Sequence, residues 1–529
     1  MKTNYFTLFF IFCIAFSFGQ IVELKNINPG TASSSPNTFF NYNGTLIFRA
    51  NDGVNGAELW KSDGTATGTV LVKDIATGAS NGDPGAFTVL GTDLIFNGNS
   101  GSTATGQELW KSDGTGAGTI VLKDIYAGTS SSNPQNFIKI NTTTLLFSAN
   151  DGINGIELWK TNGTNAGTSL VKDYPGTSNS ITWAQELNGL GIFGQNINGV
   201  TARELYISDG TTTGSNLLVD INSGTGIGVG TVSFKAGNII YFQGNNGATG
   251  FELWKTDGTA AGTVLVKDIY PGATGSSVSN FATLNGVVYF RATTLTNGNE
   301  LWKTDGTTAG TIEVADINPG TGSAVPSEIF TFNGAIYFFA ADNGTNYDFY
   351  KYDGITLTKL YDFNATIVTT SYALVNNKLY FGVDSNADNL RELWTTDGTA
   401  TGTVAVASLF TPVVNPTSVN NIIAVNNKIF FSAALNNGNE LFFFDPLTLS
   451  TTAFNNQRIA VYPNPTKNIL NVSHNFSADV NYTIFDISGK KVTSGTVANN
   501  QIFFDGNNGI YFLQLQSDQF VHNTKFIKQ

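Results

Sequence analysis

The acidic residues of one recurring phrase are the first candidates for chemistry. Glu252 to Thr263 reads ELWKTDGTAAGT, and near copies begin at Glu58, Glu108, Glu300 and Glu392. Each copy sets a Glu five residues before an Asp, as in Glu58 and Asp63, and the Asp recurs as Asp113, Asp209, Asp257, Asp305 and Asp397. Paired carboxylates are what a glycosidase places on either side of a sugar bond. Two features weigh against that use. Catalysis needs one asymmetric set, whereas this pair is repeated almost everywhere, and Asn162 takes the Asp position in one copy without disturbing the phrase. Asp-Gly also turns a chain readily, because Asp accepts a backbone hydrogen bond and Gly tolerates positive φ. The repeated carboxylates are therefore expected to be architecture.

Other chemistries are limited by what the chain lacks. The two histidines, His474 and His522, lie near the C-terminus, and the one cysteine, Cys13, lies in the apolar leader. Ser-His-Asp and Cys-His nucleophile systems are thereby excluded from the repeats, as is zinc bound in the usual way. Calcium is the cofactor to weigh. The loops NDGVNGAE (Asn51 to Glu58) and NDGINGIE (Asn150 to Glu157) offer oxygen ligands, yet they lack full Asp-x-Asp-x-Asp spacing, so plain hairpins are favoured. Gly224 to Gly230 (GTGIGVG) has no helix after it and is no dinucleotide motif. No catalytic, cofactor-binding or metal residue is assigned. Among aromatics, the unduplicated Trp183 and Tyr289 are the better ligand candidates, with core packing as the plainer reading.

Net charge is -12, with five arginines, Arg49, Arg203, Arg291, Arg391 and Arg458. No basic stripe exists to neutralise phosphates, so a nucleic-acid partner is not expected. The four arginines of the repeats also make a poor sialidase set. The first residues, MKTNYFTLFFIFCIAFSFGQ, place Lys2 before an apolar run and small residues Ser17 and Gly19 after it. This reads as a cleaved secretory signal over residues 1–19. The mature chain then has no cysteine, and no later segment is apolar and long enough to span a membrane as a helix.

The elements that position these residues come from repetition. Aligning the acidic step gives Glu58, Glu108, Glu157, Glu204, Glu252, Glu300, Asp348, Glu392 and Glu440, spaced 44 to 50 residues apart. The copies at Asp348 (DFYKYDGI) and Glu440 (ELFFFDPL) are degenerate. Each unit reads as four short strands bounded by Gly, Asn, Asp or Pro. Four strands every ~45 residues is the pattern of a propeller blade. Leu or Phe beside an aromatic in each third strand, as in Leu59 and Trp60, implies burial on both faces, as when blades stack between two neighbours. The expected fold is all-β, a single large β-propeller of eight to nine four-stranded blades over residues 20–455. Two fourth strands are open for the last blade: the mature N-terminus, IVELKNINPG, or TLSTTAF (Thr448 to Phe454).

Residues 456–529 follow another pattern, VYPNPTKNILNV, then YTIFDISGKKV, then GIYFLQLQS, ending KFIKQ, which reads as a small β-sandwich. The Tyr462 to Pro465 opening, the Asp486 to Lys490 turn, the Gly509 to Tyr511 strand and the lysine-containing tail resemble a type IX secretion C-terminal sorting domain of the type A class. That family belongs to Bacteroidetes-type bacteria. The resemblance implies passage to the periplasm, then across the outer membrane by type IX machinery, ending as a secreted or surface-attached protein. The repeats also resemble ELWxxDGTxxGT repeats of secreted proteins of such bacteria. The function expected is a secreted or cell-surface binding or adhesion propeller for a glycan or protein. The alternatives are a carbohydrate-active enzyme using channel carboxylates and a structural surface component. A function-specific site is expected where the phrase decays, at Asn162, Tyr206, Asp348 or Glu440.

Overall fold

The computed structural model describes residues 21–529 apart from 102–104, 154, 175–179, 198–200, 366–367, 386–387, 389, 410–415, 436–437, 447–459, 474–479 and 518–519. The leader signal, TLSTTAF and His474 lie outside the described residues. The chain divides into two compact units, 1–448 and 449–529.

In the first unit the described residues form nine four-stranded antiparallel sheets. Blade 1 is Asn37–Tyr42, Thr45–Asn51, Ala57–Ser62 and Val70–Lys73, paired in chain order. Blades 2 to 8 repeat that order. The first strands of successive blades touch one another, so they are the inner ones. Blade 9 differs in one respect. Its three strands Thr417–Val425, Lys428–Leu435 and Gly438–Phe444 take their fourth from the N-terminus, where Val22–Lys25 pairs antiparallel with Gly438–Phe444. The expected eight to nine blades thus become nine, latched by IVELK.

The alternation of Leu and Trp builds the ring. Leu59 packs with Leu94, Phe96 and Trp110 of blade 2. Its neighbour Trp60 packs the other way, against Val425, Phe430 and Leu441 of blade 9. Leu24 and Ile27 of the closing segment join that second cluster. Burying each such side chain is worth roughly 1.5–3 kcal/mol. Inner polar groups follow the same circuit. Asn97 donates to the Pro134 carbonyl of the next blade, Asn280 to Pro326, and Asn421 across the seam to Pro36.

The second unit holds a three-stranded sheet (Ala460–Tyr462, Ile469–Ser473, Gln501–Phe503) and a four-stranded one (Lys491–Thr496, Asn481–Phe485, Gly509–Ser517, Phe520–Lys528). They share one core that includes Leu470, Ile484, Ile502, Leu513 and Phe526, which makes a β-sandwich. Its motifs have local reasons. Asn464 donates to the Lys525 carbonyl and accepts from the Ile527 amide, tying the opening phrase to the last strand. Asp486 accepts from the Ser488 and Lys490 amides across the DISGK turn, where Gly489 has φ 82°.

Candidate functional site

The Glu and Asp of the phrase stand at opposite ends of one strand. Glu58 lies in Ala57–Ser62, and Asp63 follows its last residue. Five residues of extended chain span about 16 Å at ~3.3 Å each. A glycosidase pair is set about 5–9.5 Å apart. The two carboxylates of one copy therefore serve different purposes.

Asp63 builds its own turn. Its Oδ1 accepts from the Thr65 amide and hydroxyl at 2.8 Å each, and the Thr65 hydroxyl in turn accepts from the Gly68 amide. Asp113, Asp209, Asp257, Asp305 and Asp397 make the same pair of contacts. Asn162 does so too through its amide oxygen, accepting from Thr164. Acceptance by Oδ1 is all the turn requires, which is why Asn serves. The threonine hydroxyl and amide hold the Asp63 and Asp113 carboxyls below the usual range.

The glutamates do something local sequence does not announce. Glu58 is 0% exposed and accepts from the amides of Ile75 (2.7 Å), Ala76 (3.3 Å) and Gly82 (2.7 Å). These amides lie on the connection that carries the chain from the outer edge of blade 1 to the inner strand of blade 2. The intervals of 17 and 24 residues recur. Glu108 accepts from Ile125 and Ser132, and Glu300 from Ile317 and Ala324. The buried Glu of blades 1 to 6 clasps the crossover into the next blade, whereas Glu392 of blade 8 accepts from the Ser385 amide and hydroxyl in the loop before its own strand. Burial pushes Glu58, Glu204 and Glu300 up to about 7, with the amide donors pulling the other way. Glu108, Glu252 and Glu440 are raised by burial too, opposed first by the hydroxyls of Ser132, Ser276 and Ser34.

The positions where the phrase decays are absorbed by packing and closure. Tyr206 is 4% exposed and stacks on Phe193. Asp348, in blade 7, receives Lys359 at 2.9 Å, and Lys359 also reaches Asp342 at 2.7 Å. Here the fourth strand, Leu357–Ala365, runs almost directly into Val368–Val375, the first of blade 8. At this blade the shorter Asp takes the lysine of its own fourth strand. Glu440 clasps the N-terminal segment. Trp183 is 7% exposed in the core, with its indole N–H donating to the Gly230 carbonyl. Tyr289 is 4% exposed in another core cluster, and it is not unduplicated, since Tyr241, Tyr337 and Tyr380 hold the same register in blades 5, 7 and 8. Both ligand candidates are packing residues.

Asp52 caps its own loop, its Oδ1 accepting from the Val54 and Asn55 amides. Among the described residues no three His, Cys, Asp or Glu side chains are grouped to hold a metal ion. The repeat arginines are spread over blades 1, 4, 6 and 8. Arg49 meets Asp83 at 2.6 Å, Arg203 donates to the Val229 carbonyl, Arg291 to Ser279 and Arg391 to Asn420.

What sequence reasoning missed is a cleft of about 530 Å³ between blades 1 and 2. Tyr42, Ile47 and Val70 form its apolar part, and Lys61, Asp63 and Asp113 its polar part. The Lys61 ammonium donates to the Gly114 carbonyl at 2.9 Å across the blade boundary. A signal existed in the second strands. Ile47, Ile95, Leu146 and Ile192 of blades 1 to 4 give way to Tyr241, Tyr289, Tyr337 and Tyr380 in blades 5 to 8.

In the second unit, the Asn464 clasp, the DISGK turn and the shared core bear out the motif order read at the C-terminus. Residues 460–529 match the family described as the secretion system C-terminal sorting domain. The C-terminal sandwich is a type IX sorting domain. Such a sorting domain marks its carrier for the cell surface or for secretion and implies contact with the secretion machinery.

No curated protein matches the chain. Many solved structures are similar in fold, three of them as follows. One is a puromycin hydrolase mutant complexed with PGG, 15% identical with TM-score 0.34. Another comes from work on two prolyl endopeptidases, 11% identical with TM-score 0.39. The third is the β-propeller domain of the Trilobed protease from Pyrococcus furiosus, 12% identical with TM-score 0.33. The matches cover 56%, 77% and 60% of this chain, and 48%, 56% and 95% of those chains. The chain thus spans about half the length of the first two. At these identities nothing of their chemistry transfers to it.

Among the described residues no helix is long and apolar enough to cross a membrane.

Proposed function

We propose that this protein is a binding or adhesion propeller, led to the periplasm by the signal over residues 1–19 and carried outward by type IX machinery. Its ligand is a glycan or a protein presented outside a Bacteroidetes-type cell. The observation that carries this reading is the use already made of the repeated carboxylates. The Glu of blades 1 to 6 clasps a crossover, Glu440 the N-terminal segment and Glu392 the Ser385 loop, and each turn Asp accepts within its own turn, so both serve the ring. A rigid ring with variable faces is a scaffold for recognition, and function has to be argued from such a site and not from the fold.

Two measurements test it. Full-length protein produced in a type IX-competent host reaches the medium or the surface, whereas a chain lacking residues 460–529 stays in the periplasm. The exported protein then binds members of a glycan or protein array. Surface delivery of the truncated chain contradicts the export route, and silence on both arrays contradicts binding.

A further inference from the structure

The cleft between blades 1 and 2 borders a second strand that carries an aliphatic residue, as in blades 2 to 4, where blades 5 to 8 carry tyrosine. In the second strand, Tyr241 stands opposite Lys255, Tyr289 opposite Lys303 and Tyr337 opposite Lys351. Blade 1 has Ile47 opposite Lys61 at that register. In blade 5 the Tyr241 hydroxyl presses on Gly306 of the next turn, where a Cβ would meet it at 2.9 Å. Tyr337 lies against Gly398 in the same manner. Lys255 donates to the Gly306 carbonyl at 2.8 Å as Lys61 does to Gly114, while the group over the turn glycine differs, the ring of Tyr42 from the first strand lying against Gly114. Beside Ile47 and Tyr42, blade 1 borders about 530 Å³ of accessible space. That size suits a small ligand or one unit of a larger one.

The lining selects the ligand. The ionised carboxylates of Asp63 and Asp113 each use Oδ1 as the acceptor of their own turn, and both residues line the cleft. Ionised carboxylates only accept hydrogen bonds, so they match hydroxyl donors and repel anions. Lys61 gives one of its three N–H donors to the Gly114 carbonyl, and two carboxylates against one ammonium leave the lining net negative. Tyr42, Ile47 and Val70 supply an apolar wall for a ring face. We propose that this cleft binds a neutral sugar residue of a glycan chain, its hydroxyls donating to Asp63 and Asp113. The proposal rests on the binding reading above and names the ligand class and the place.

Ile47→Tyr tests it, because it copies into blade 1 the side chain that the ring already accommodates in blades 5 to 7. The full chain is screened on an array of neutral oligosaccharides, and the strongest binder is titrated by calorimetry, with trilysine as a cationic probe. Ile47→Tyr should weaken sugar binding at least tenfold, while Ile95→Tyr, the same change in blade 2, should leave it unchanged. Asp63→Asn keeps the turn, as Asn162 shows, and should also weaken binding, so it decides the matter if Ile47→Tyr fails to fold. A sugar that binds both Ile47→Tyr and Asp63→Asn as tightly as the parent overturns the cleft and leaves the binding reading intact. Trilysine binding that Ile47→Tyr abolishes, with no sugar bound, overturns the ligand class. A parent protein that binds no oligosaccharide overturns the proposal, and the protein array then decides the broader reading.

Discussion

The carboxylate of Glu440 accepts a hydrogen bond at 2.9 Å from the amide of Ile27, 413 residues earlier in the chain. It also accepts from the Ser34 amide at 2.9 Å and the Ser34 hydroxyl at 2.5 Å. In blades 1, 2 and 6 the equivalent amides lie 17 and 24 residues after the Glu. The last blade has the same clasp, filled from the opposite end of the unit. Lys25 repeats this on the outer edge, donating to the Thr69 carbonyl of blade 1 as Lys267 does to Thr311.

Glu440→Ala leaves three buried donors without their acceptor, and each such loss costs about 1–3 kcal/mol. The propeller should lose about 3 kcal/mol or more, read as a lower denaturant midpoint. Glu440→Gln keeps an acceptor oxygen and should fall between. Removal of residues 21–25 should destabilise further by exposing the edge of blade 9. An unchanged midpoint in Glu440→Ala would remove the clasp from the account.

The glutamates also set a pH dependence. Glu58, Glu204 and Glu300 rise to about 7 in the folded protein from an ordinary 4.5. Between those values the folded state binds more protons than the unfolded one, so stability falls as pH rises. The protein should melt at a higher temperature at pH 5.5 than at pH 8, with little change above pH 8 from these groups. Replacing all three by Gln should flatten the difference. Higher stability at pH 8 than at pH 5.5 in the parent would contradict the burial argument.

The turn aspartates should behave as acceptors and not as charges that do chemistry. Asp257→Ala removes the acceptor for the Thr259 amide and hydroxyl, and a lost turn contact of this kind costs about 1 kcal/mol. Asn162→Asp keeps the acceptor and should change stability by no more than about 0.5 kcal/mol. Calorimetric melting of the two variants separates the outcomes. Equal losses would mean that side-chain charge, and not acceptance, shapes the turn.

Much of this was legible in the residues, for physical reasons. The turn was readable at Asn162, because Asn and Asp share one acceptor and little else. Blade stacking was readable at Leu59 and Trp60, because neighbours on a strand point to opposite faces. The blade count was not readable, because IVELK and TLSTTAF have equal local fitness for a fourth strand. Pairing of Val22 with Phe443 settled it, and that is a contact between the ends of the unit. The buried role of Glu58 was hidden because its partners are backbone amides, which have no residue signature. The cleft at Ile47 was hidden because it is visible only once second strands are aligned by register.

The central claim is that the exported ring binds its ligand without consuming it. The most direct test incubates the secreted full-length protein with a panel of polysaccharides and measures co-sedimentation and released reducing ends in the same tubes. The account predicts that polymer is retained with no rise in reducing ends over buffer. Release of product, abolished by changing a single Asp or Glu, would contradict it.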